Sequence, residues 1–385
     1  MVVSVAQPSL FSPITLGGGL VTARSRVWMA PLTRCRGGTG DTPTDLTALY
    51  YAQRADPRTG AGLIISEASP ISPEAHGYPR TPGIHTDAQQ EGWARVASAV
   101  RARGGVFVHQ LWHVGPVSHP DYQPGGALPV APSALNPGGM CRTLSGHKPR
   151  VTPRALDTAE IPRVVSDYVR AARRSIDAGT DGVQIHAANT YLIERFLRSE
   201  SNRRTDRYGG PIENRCRFCL EVVDAVIAEV GAGRVSIRLS PSGQNEGVRD
   251  EQAREVYTHL VRELDKRPLQ FVEIREADTD DTPAASPPGL QPIPIGFFRP
   301  LTRHVLCVNT GYTFERASAV LARGEADAVT FGVPFIANPD LAARFRRIAQ
   351  GERVELATSD PKTWYPPMGA ASEDFARGYT DYPTL

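Results

Sequence analysis

The sequence predicts an α/β protein that folds as a (β/α)8 barrel, the TIM barrel, in a single domain of residues 1–385. Short apolar runs alternate along the chain with longer amphipathic segments, and this alternation of strands with helices is typical of a parallel sheet. Eight such units within about 300 residues are the number that closes a barrel. A doubly wound sheet is the alternative, but no G-x-G-x-x-G motif follows the first strand.

The predicted elements follow in chain order. The strands are the apolar runs Val27–Ala30, Leu63–Ser66, Val106–Gln110, Gly182–His186, Val235–Leu239, Phe271–Ile274, Val305–Val308 and Ala328–Phe331. Helices are predicted between them at Thr86–Arg103, Asp157–Ala178, Ile212–Val230, Arg249–Lys266 and Phe314–Arg323. The triplet Gly17–Gly19 before the first strand predicts the turn of an N-terminal hairpin.

Glycine and proline point to long connections. The chain holds 35 Gly and 33 Pro, a proportion that suits a fold with many loops better than a helical bundle. Two segments exceed ordinary loops, the insert Gly115–Arg154 after strand 3 and the insert Glu276–Arg299 after strand 6. Barrel enzymes build their sites from loops at the carboxyl ends of the strands. We therefore expect both inserts to border a functional site.

The charge balance argues against a polyanionic partner. Lys and Arg number 43 and Asp and Glu 41, which gives a net charge of +2, and no basic block stands out. We expect a small-molecule substrate, no nucleic acid or membrane partner, and a monomer or homodimer. The five cysteines lack the spacing of a disulfide framework, Met1–Pro13 carries no signal peptide, and no apolar run approaches the ~20 residues of a spanning helix. These features predict a cytoplasmic protein.

Polar residues occur where the predicted strands end, and in a barrel such side chains point into the mouth. Glycines after strands 7 and 8, Gly311 and Gly332, suit phosphate binding through backbone N–H groups. The set of strand-end residues suits a planar polar heterocycle that bears a phosphate, and it contains no acidic cluster for a metal. The alternative is that Gln110 and Arg238 only pair inside the barrel. The strand-end residues are Thr33, Glu67, Ala68, Gln110, His186 and Arg238.

These residues fall within strings that resemble the old yellow enzyme family of flavin-dependent ene-reductases. The similarity spans essentially the whole chain and implies a barrel that binds FMN, takes hydride from NADPH or NADH, and reduces an activated C=C bond. The strings are Leu10-Phe11-Ser12-Pro13, Met29-Ala30-Pro31-Leu32-Thr33-Arg34, Gln110-Leu111-Trp112-His113, Gly126-Ala127-Leu128-Pro129-Val130-Ala131-Pro132-Ser133, His186-Ala187-Ala188-Asn189-Thr190-Tyr191-Leu192, Ser201-Asn202-Arg203-Arg204-Thr205-Asp206-Arg207-Tyr208-Gly209-Gly210, Phe335-Ile336-Ala337-Asn338-Pro339-Asp340-Leu341 and Gly378-Tyr379-Thr380-Asp381-Tyr382-Pro383.

The resemblance implies a set of flavin contacts. Thr33 would donate to the flavin O4, Gln110 would bind the pyrimidine edge, and Arg238 would stabilise the negative charge that a reduced flavin carries near N1 and O2. Pro31 and Ala68 would pack on the ring. The remaining predicted cofactor residues are Leu32, Thr310, Gly311, Gly332 and Val333.

The resemblance also implies the catalytic groups. His186 and Asn189 would donate hydrogen bonds to the substrate's carbonyl or nitro oxygen, and hydride from flavin N5 would reach the β-carbon. Tyr191 would then protonate the α-carbon as a general acid. The aromatic positions that line the family's substrate pocket match Tyr78, Trp112 and Tyr365. For all four aromatic residues the alternative is ordinary packing in the core.

Several positions depart from the family's pattern. The family usually has Gly-Arg after strand 8, with the arginine on the FMN phosphate, whereas this chain has Gly332-Val333-Pro334. We expect the phosphate to rest on backbone N–H groups or on another basic residue, and FMN to be retained more weakly. Thr310, Thr190 and Pro116 also differ from common family residues, and Pro366–Arg377 is longer than usual.

Other functions stay open at this stage. The same flavin site could catalyse desaturation or redox-neutral isomerisation. Alternatively, the chain could be a flavin-binding protein without catalytic activity. An aldolase or sugar isomerase barrel needs a lysine or an acid pair at a strand end, and Lys148, Lys266 and Lys362 lie in loops or at a helix end. The C-x-x-C pair Cys216 and Cys219 lies inside a predicted helix, which argues against a zinc site.

Overall fold

The computed structural model describes residues 9–243, 247–277, 291–367, 369–370 and 372–385. Within these ranges eight parallel strands close into a barrel in chain order, since each pairs with the next and the last pairs with the first. The strands, numbered 1 to 8 below, are Val27–Met29, Leu63–Ile65, Val106–Trp112, Gly182–Ala187, Val235–Leu239, Val272–Arg275, Leu306–Asn309 and Ala328–Phe331. The predicted fold class is confirmed, and each predicted strand is present to within a few residues.

Helices surround the barrel. They are Asp45–Arg54, Asp87–Arg101, Ile161–Asp177, Leu192–Leu197, Ile212–Val230, Ala253–Asp265, Ile295–Phe298, Phe314–Ala322, Val333–Ala337 and Leu341–Ala349. The five predicted helices are all present, and Ile212–Val230 has its predicted bounds. Asp45–Arg54 was not predicted, because it buries Tyr50, Tyr51 and Arg54 instead of presenting an apolar stripe.

The predicted N-terminal hairpin is present, and it closes the amino-terminal end of the barrel. Its strands Ile14–Leu16 and Val21–Ala23 pair antiparallel and share one apolar cluster with interior residues such as Trp28. The turn needs glycine, because a Cβ on Gly17 would lie 2.2 Å from the carbonyl oxygen of Gly233 and the φ of Gly17 is +60°. Because the hairpin covers the amino-terminal end, the carboxyl ends of the strands form the open end of the barrel.

The first insert borders that open end, and the structure describes only part of the second. The first carries a hairpin in which Met140–Thr143 pairs with Gly146–Pro149. Arg142 of this hairpin donates a hydrogen bond of 2.6 Å to the carbonyl oxygen of Pro366, so the insert contacts the C-terminal segment. Of the second insert, residues 278–290 lie outside the described residues, as do residues 1–8 of Met1–Pro13 and positions 368 and 371 of the C-terminal segment.

The cysteines are all buried free thiols. Cys216 and Cys219 lie inside the helix Ile212–Val230, where burial raises the pKa of Cys216 to about 12. Among the described residues no three His, Cys, Asp or Glu side chains are grouped so that they could hold a metal ion. Across the described ranges, no helix combines the length and apolar character that crossing a membrane requires.

Candidate active site

A chain of hydrogen-bonded polar side chains crosses the barrel interior near its open end. Gln110 Nε2 donates to Gln184 Oε1 at 2.7 Å, and Gln184 Nε2 donates to Glu273 Oε2 at 2.9 Å. Glu273 also accepts from Arg238 Nη1 at 2.6 Å. All four side chains are buried. Gln110 on strand 3 and Arg238 on strand 5 therefore belong to one network, joined through Gln184 on strand 4 and Glu273 on strand 6.

Arg238 is held from a second side as well. Its Nη2 donates to Asn309 Oδ1 at 2.7 Å, and Asn309 Nδ2 donates to the carbonyl oxygen of Thr330 at 2.9 Å. Thr330 Oγ1 returns to Glu273 Oε1 at 2.7 Å. Arg238 Nε is buried and has no acceptor among the described residues. The guanidinium is thus fixed in place, and its Nε–H can donate to an acceptor from outside the network.

A cavity of about 560 Å³ opens beside this network at the ends of strands 5 to 8. Its wall includes two backbone turns that lack side chains, at Gly311, with φ of +67°, and at Gly332, where a Cβ would lie 3.3 Å from Leu32 Cδ2. Seven of the predicted cofactor residues line it, namely Pro31, Leu32, Arg238, Thr310, Gly311, Gly332 and Val333. The cavity therefore offers a polar floor, an apolar side and exposed backbone.

The other predicted cofactor residues, Thr33, Ala68 and Gln110, are not in the cavity wall, but two of them lie where strands 1 and 2 are tied together. The N–H of Arg34, next to Thr33, donates to Glu67 Oε2 at 3.2 Å, and Glu67 precedes Ala68. Burial raises the pKa of Glu67 to about 7, against the opposing effect of Arg34. This link holds the residues after strands 1 and 2 side by side at the mouth.

Two of the predicted catalytic residues, His186 and Tyr191, form one aromatic group with two of the predicted pocket residues, Trp112 and Tyr78. The ring centroids of His186 and Tyr191 are 5.1 Å apart, and those of Trp112 and Tyr191 are 4.8 Å apart. Tyr78 joins them with its hydroxyl 3.2 Å from the Tyr191 hydroxyl. Burial, then the positive charges of Arg238 and Arg275, lowers the pKa of His186 well below its usual range. His186 is therefore a neutral imidazole, and its buried Nδ1 has no partner among the described residues.

A strained turn brings Tyr191 back toward the end of strand 4. Asn189 and Thr190 both have positive φ, +57° and +68°, a region that residues other than glycine seldom adopt. The Asn189 N–H donates to Ser240 Oγ at 2.9 Å, and the Thr190 N–H donates to Glu194 Oε2 at 2.7 Å. These bonds stabilise the turn, so Tyr191 precedes the helix Leu192–Leu197 with its ring beside His186. Strained backbone of this kind is a common feature of functional sites.

Tyr365 reaches the mouth from the C-terminal segment. It lines a second cavity of about 200 Å³ together with Tyr78, Val117 and the hairpin residue Arg142. The Arg142 guanidinium lies 5.0 Å from the Tyr365 ring centroid, and burial raises the pKa of the Tyr365 hydroxyl to about 12. The wall between strand 3 and the C-terminal segment thus combines two tyrosines with a cation, and the hydroxyl of Tyr365 is kept neutral.

Two arginines after strand 1 hold this C-terminal segment. Arg34 donates to the carbonyl oxygens of Trp364 and Gly378 at 3.0 and 2.7 Å. Arg36 donates to the carbonyl oxygens of Thr363, Trp364, Phe375 and Arg377, each at 2.8 or 2.9 Å. The loop that carries Thr33 and the segment that carries Tyr365 are therefore one connected wall.

Sequence reasoning missed four residues of this arrangement, namely Gln184, Glu273, Arg275 and Asn309. A signal was present for three of them, because Gln184, Glu273 and Arg275 are polar side chains inside otherwise apolar strands, and such residues are rarely buried without a partner. Asn309 ends strand 7, one residue beyond the predicted strand Val305–Val308. Its role as a support of Arg238 depends on a contact that no local pattern reveals.

The residues present fit a flavin mononucleotide. A buried arginine with an unused Nε–H, a buried amide and a half-buried threonine hydroxyl match the polar edge of an isoalloxazine, while Pro31 and Ala68 are apolar. The cavity beyond them ends at Gly311 and Gly332, where a Cβ is missing and backbone N–H groups can meet a phosphate. The hydrogen-bond donors therefore suit the isoalloxazine end of FMN, and the backbone at the two glycines suits its phosphate end.

Comparisons with known proteins agree. A family model described as the NADH:flavin oxidoreductase / NADH oxidase family matches residues 9–352. The chain is 41% identical over 390 residues to 12-oxophytodienoate reductase 1 of Oryza sativa subsp. japonica, with 100% of this chain and 95% of that protein covered. Morphinone reductase in complex with tetrahydroNAD superposes with a TM-score of 0.86 at 46% identity, with 98% of each chain covered.

A third relative has the same extent of similarity. The old yellow enzyme homologue from Zymomonas mobilis superposes with a TM-score of 0.88 at 43% identity, over 98% of this chain and 100% of that one. The resemblance found in the sequence is thereby confirmed. The chain belongs to the NADH:flavin oxidoreductase / NADH oxidase family, the old yellow enzyme family, and is an FMN-dependent oxidoreductase of the ene-reductase type that uses NAD(P)H.

Proposed function

We propose that this enzyme reduces the C=C bond of α,β-unsaturated carbonyl or nitro compounds with electrons from NADPH or NADH, and that the reaction takes place between His186, Asn189 and Tyr191. The observation that carries the proposal is the placement of His186 and Tyr191, with ring centroids 5.1 Å apart, at the rim of a barrel whose floor holds the Arg238 network. Hydrogen-bond donors and a proton donor then face one small volume beside the flavin position.

His186 and Asn189 bind the oxygen of the substrate. A neutral imidazole donates one hydrogen bond and adds no net charge, and the lowered pKa keeps His186 in this form through the physiological pH range. The Asn189 side chain supplies an amide N–H from a turn that its backbone bond to Ser240 stabilises. Two donors fixed before the reaction stabilise the negative charge that develops on the oxygen, and losing one typically costs ~10²–10³ in rate.

Tyr191 supplies the proton. Its hydroxyl lies 3.2 Å from that of Tyr78, so the Tyr78 hydroxyl can donate a hydrogen bond to the phenolate that Tyr191 becomes when it gives up its proton. A phenol is a weak acid, but it is strong enough for an α-carbon that has become electron-rich, and positioned general acids contribute ~10²–10⁴-fold. The alternative, that Tyr191 only packs in the core, predicts little change in rate when the hydroxyl alone is removed.

FMN supplies the hydride when bound, after reduction by the nicotinamide cofactor. The chain's own part is to orient the ring and stabilise its negative edge. Arg238, neutralised by Glu273 and oriented by Asn309, places a cation there without leaving a buried charge unpaired. Gln110 and Thr33 add hydrogen bonds, and Pro31 and Ala68 add apolar contact with the ring faces.

The pocket favours flat cyclic substrates. Trp112 is buried, Tyr78 and Tyr191 are half-buried, and their rings lie close to one another, so they form an aromatic surface against which a flat ring can pack. Two of the three proteins compared above are named as reductases of 12-oxophytodienoate and morphinone. We therefore propose cyclic enones as the preferred substrate class.

The test is anaerobic turnover of cyclohex-2-enone by the FMN-loaded enzyme, with NADPH and NADH in parallel. We expect one saturated ketone for each nicotinamide oxidised. Flavin reduction by NAD(P)H without reduction of any enone, enal or nitroalkene would favour a non-catalytic or other redox role. Product with the double bond only moved would favour isomerisation.

The remaining assignments belong to the same proposal. A single domain of residues 1–385 is supported by the one closed barrel in the described residues. A cytoplasmic location is supported by five free thiols, which persist in a reducing compartment. Light scattering of the purified protein distinguishes a monomer from a homodimer.

A further inference from the structure

The residue after Gly332 leaves the phosphate end of the cavity without an obvious cation. Val333 is 47% exposed and lines the 560 Å³ cavity with Gly311 and Gly332. The loops after strands 7 and 8 are where barrels commonly bind phosphate, and a phosphate dianion normally meets Arg or Lys as well as backbone N–H groups. Valine supplies no charge, so the charge must come from another part of the wall.

Two arginines line this cavity among the described residues, Arg238 and Arg275. Arg238 lies deeper, level with Glu273, two strand positions below Arg275. Arg316 is close to the Gly311 turn, with its Nη1 3.2 Å from the Gly311 carbonyl oxygen, but it is not part of the cavity wall. Arg275 is the cation whose position in the fold suits the phosphate.

Strand geometry directs Arg275 into the mouth. Side chains alternate along a strand, so Glu273 and Arg275 share a face. Glu273 meets Gln184 and Arg238 inside the barrel. Arg275 therefore also faces inward, about 7 Å nearer the open end, since two strand residues span that distance.

The register then places Arg275 beside the glycine turn. Arg275 is paired with Asn309 in the strand 6–strand 7 ladder, and Asn309 precedes Gly311 by two residues. The ladder continues one step further, because the Glu276 N–H donates to the Asn309 carbonyl oxygen at 3.1 Å. Tyr312, which follows Gly311, donates its hydroxyl hydrogen to Glu276 Oε2 at 2.8 Å. These bonds hold the turn against the end of strand 6.

We propose that the Arg275 guanidinium binds the phosphate of FMN, together with the backbone N–H groups of Gly311 and Gly332, and takes over the role that an arginine at position 333 would have. This assignment rests on the proposed flavin orientation, with the ring over Arg238 and the phosphate at Gly311. It predicts that Arg275 contributes to the binding of FMN but not of riboflavin, which lacks the phosphate.

The test compares the two flavins. FMN release from the diluted holoenzyme, followed by the rise in flavin fluorescence, gives the FMN dissociation constant, and reconstitution with riboflavin gives the other. In Arg275→Gln we expect FMN binding to weaken ~10- to 100-fold, the scale of a lost charge-assisted hydrogen bond, with riboflavin binding unchanged. Unchanged riboflavin binding also shows that the variant is folded. Arg323→Gln, the same charge change at the far end of the helix Phe314–Ala322, should alter neither constant.

A rescue completes the test. Val333→Arg should restore FMN affinity in the Arg275→Gln background and improve it much less in the wild type, because one phosphate then has two cations available. No change in FMN binding by Arg275→Gln, or an equal weakening of FMN and riboflavin binding, would overturn the proposal. A failure of the proposed function would give a different result. The enzyme would then bind FMN normally but would not reduce enones when saturated with FMN.

Discussion

The Nη1 of Arg238 donates a hydrogen bond of 2.6 Å to Oε1 of Glu273, and neither side chain is more than 5% exposed. The pair joins strands 5 and 6 and connects to strands 3, 4, 7 and 8 through Gln110, Gln184, Asn309 and Thr330. A buried ion pair is seldom a source of net stability, but removing one partner is costly. Its presence at the mouth therefore indicates a cation kept in place for function.

Glu273→Gln should remove the counter-charge and leave Arg238 buried without it. We expect the free energy of unfolding to fall by about 3–5 kcal/mol, because an uncompensated buried charge is strongly destabilising. Urea unfolding measures this change. Glu352→Gln removes the partner of Arg347 from a surface pair in which both side chains are more than 40% exposed, and it should change stability by less than about 1 kcal/mol. Equal losses in the two variants would contradict the role given to Glu273.

Most of the barrel could be predicted from the sequence, because each strand is a short apolar run and each long helix an amphipathic one. Ile212–Val230 was predicted at its observed bounds because its apolar residues recur with a helical period. The helix Asp45–Arg54 was not predicted, although Thr44 and Thr47 form a capping box at its start. Its buried face carries tyrosines and an arginine whose partners, such as the carbonyl oxygens of Phe335 and Ile336, are distant in the sequence.

The site residues likewise divide into those that a local sequence pattern predicts and those that depend on distant contacts. His186, Asn189 and Tyr191 form a recognisable local string, and the turn that gathers them lies within six residues. Arg275 belongs to no such local string. Its proposed role depends on the Gly311 turn, which lies beside it only because of the register between strands 6 and 7. Residue patterns report local geometry, whereas these contacts depend on how the barrel closes.

Tyr191→Phe should separate the two halves of the reaction. We expect enone reduction to slow by ~10²–10⁴-fold, the usual contribution of a general acid, while flavin reduction by NADPH keeps its rate. Stopped-flow absorbance of the flavin resolves both steps. Tyr208→Phe removes a hydroxyl that donates to Glu221 on the outside of the barrel and should leave both steps unchanged. An unaltered rate of enone reduction in Tyr191→Phe would assign Tyr191 to packing.

His109 should make stability depend on pH. It is fully buried between the hydroxyls of Ser69 and Ser175, at 2.8 and 2.9 Å, and burial lowers its pKa to about 3. In the unfolded chain a histidine takes up a proton near pH 6.5. Between pH 6.5 and 3 the unfolded state therefore binds a proton that the native state does not, and the contribution of His109 to stability falls as the pH falls, by at most about 1.4 kcal/mol per pH unit.

The measurement is the difference in unfolding free energy between wild type and His109→Gln at several pH values, which cancels the titration of other groups. We expect His109→Gln to be destabilising at pH 8 and progressively less so below pH 6.5. Thr180→Val removes another buried hydrogen bond, from Thr180 Oγ1 to the carbonyl oxygen of Ser175, without removing a titrating group, so its effect should be constant with pH. A constant difference for His109→Gln would show that the native state takes up the proton as well.

Arg36→Gln should release the C-terminal wall of the pocket. The guanidinium of Arg36 binds four carbonyl oxygens of the segment that carries Tyr365, and a glutamine amide can replace only a small part of these bonds. Buried carbonyl groups left without donors cost about 1–3 kcal/mol each. We therefore expect new protease cleavage between Thr363 and Arg377 and a raised KM for enones, with a smaller change in the rate of flavin reduction by NADPH.

Limited proteolysis followed by mass spectrometry locates the cleavage, and steady-state kinetics give KM. Arg347→Gln removes a surface arginine that pairs with Glu352 and serves as the control for the charge change. If Arg36→Gln raised KM with the segment still resistant to protease, Arg36 would act on the substrate by its charge and not by holding Tyr365 in place.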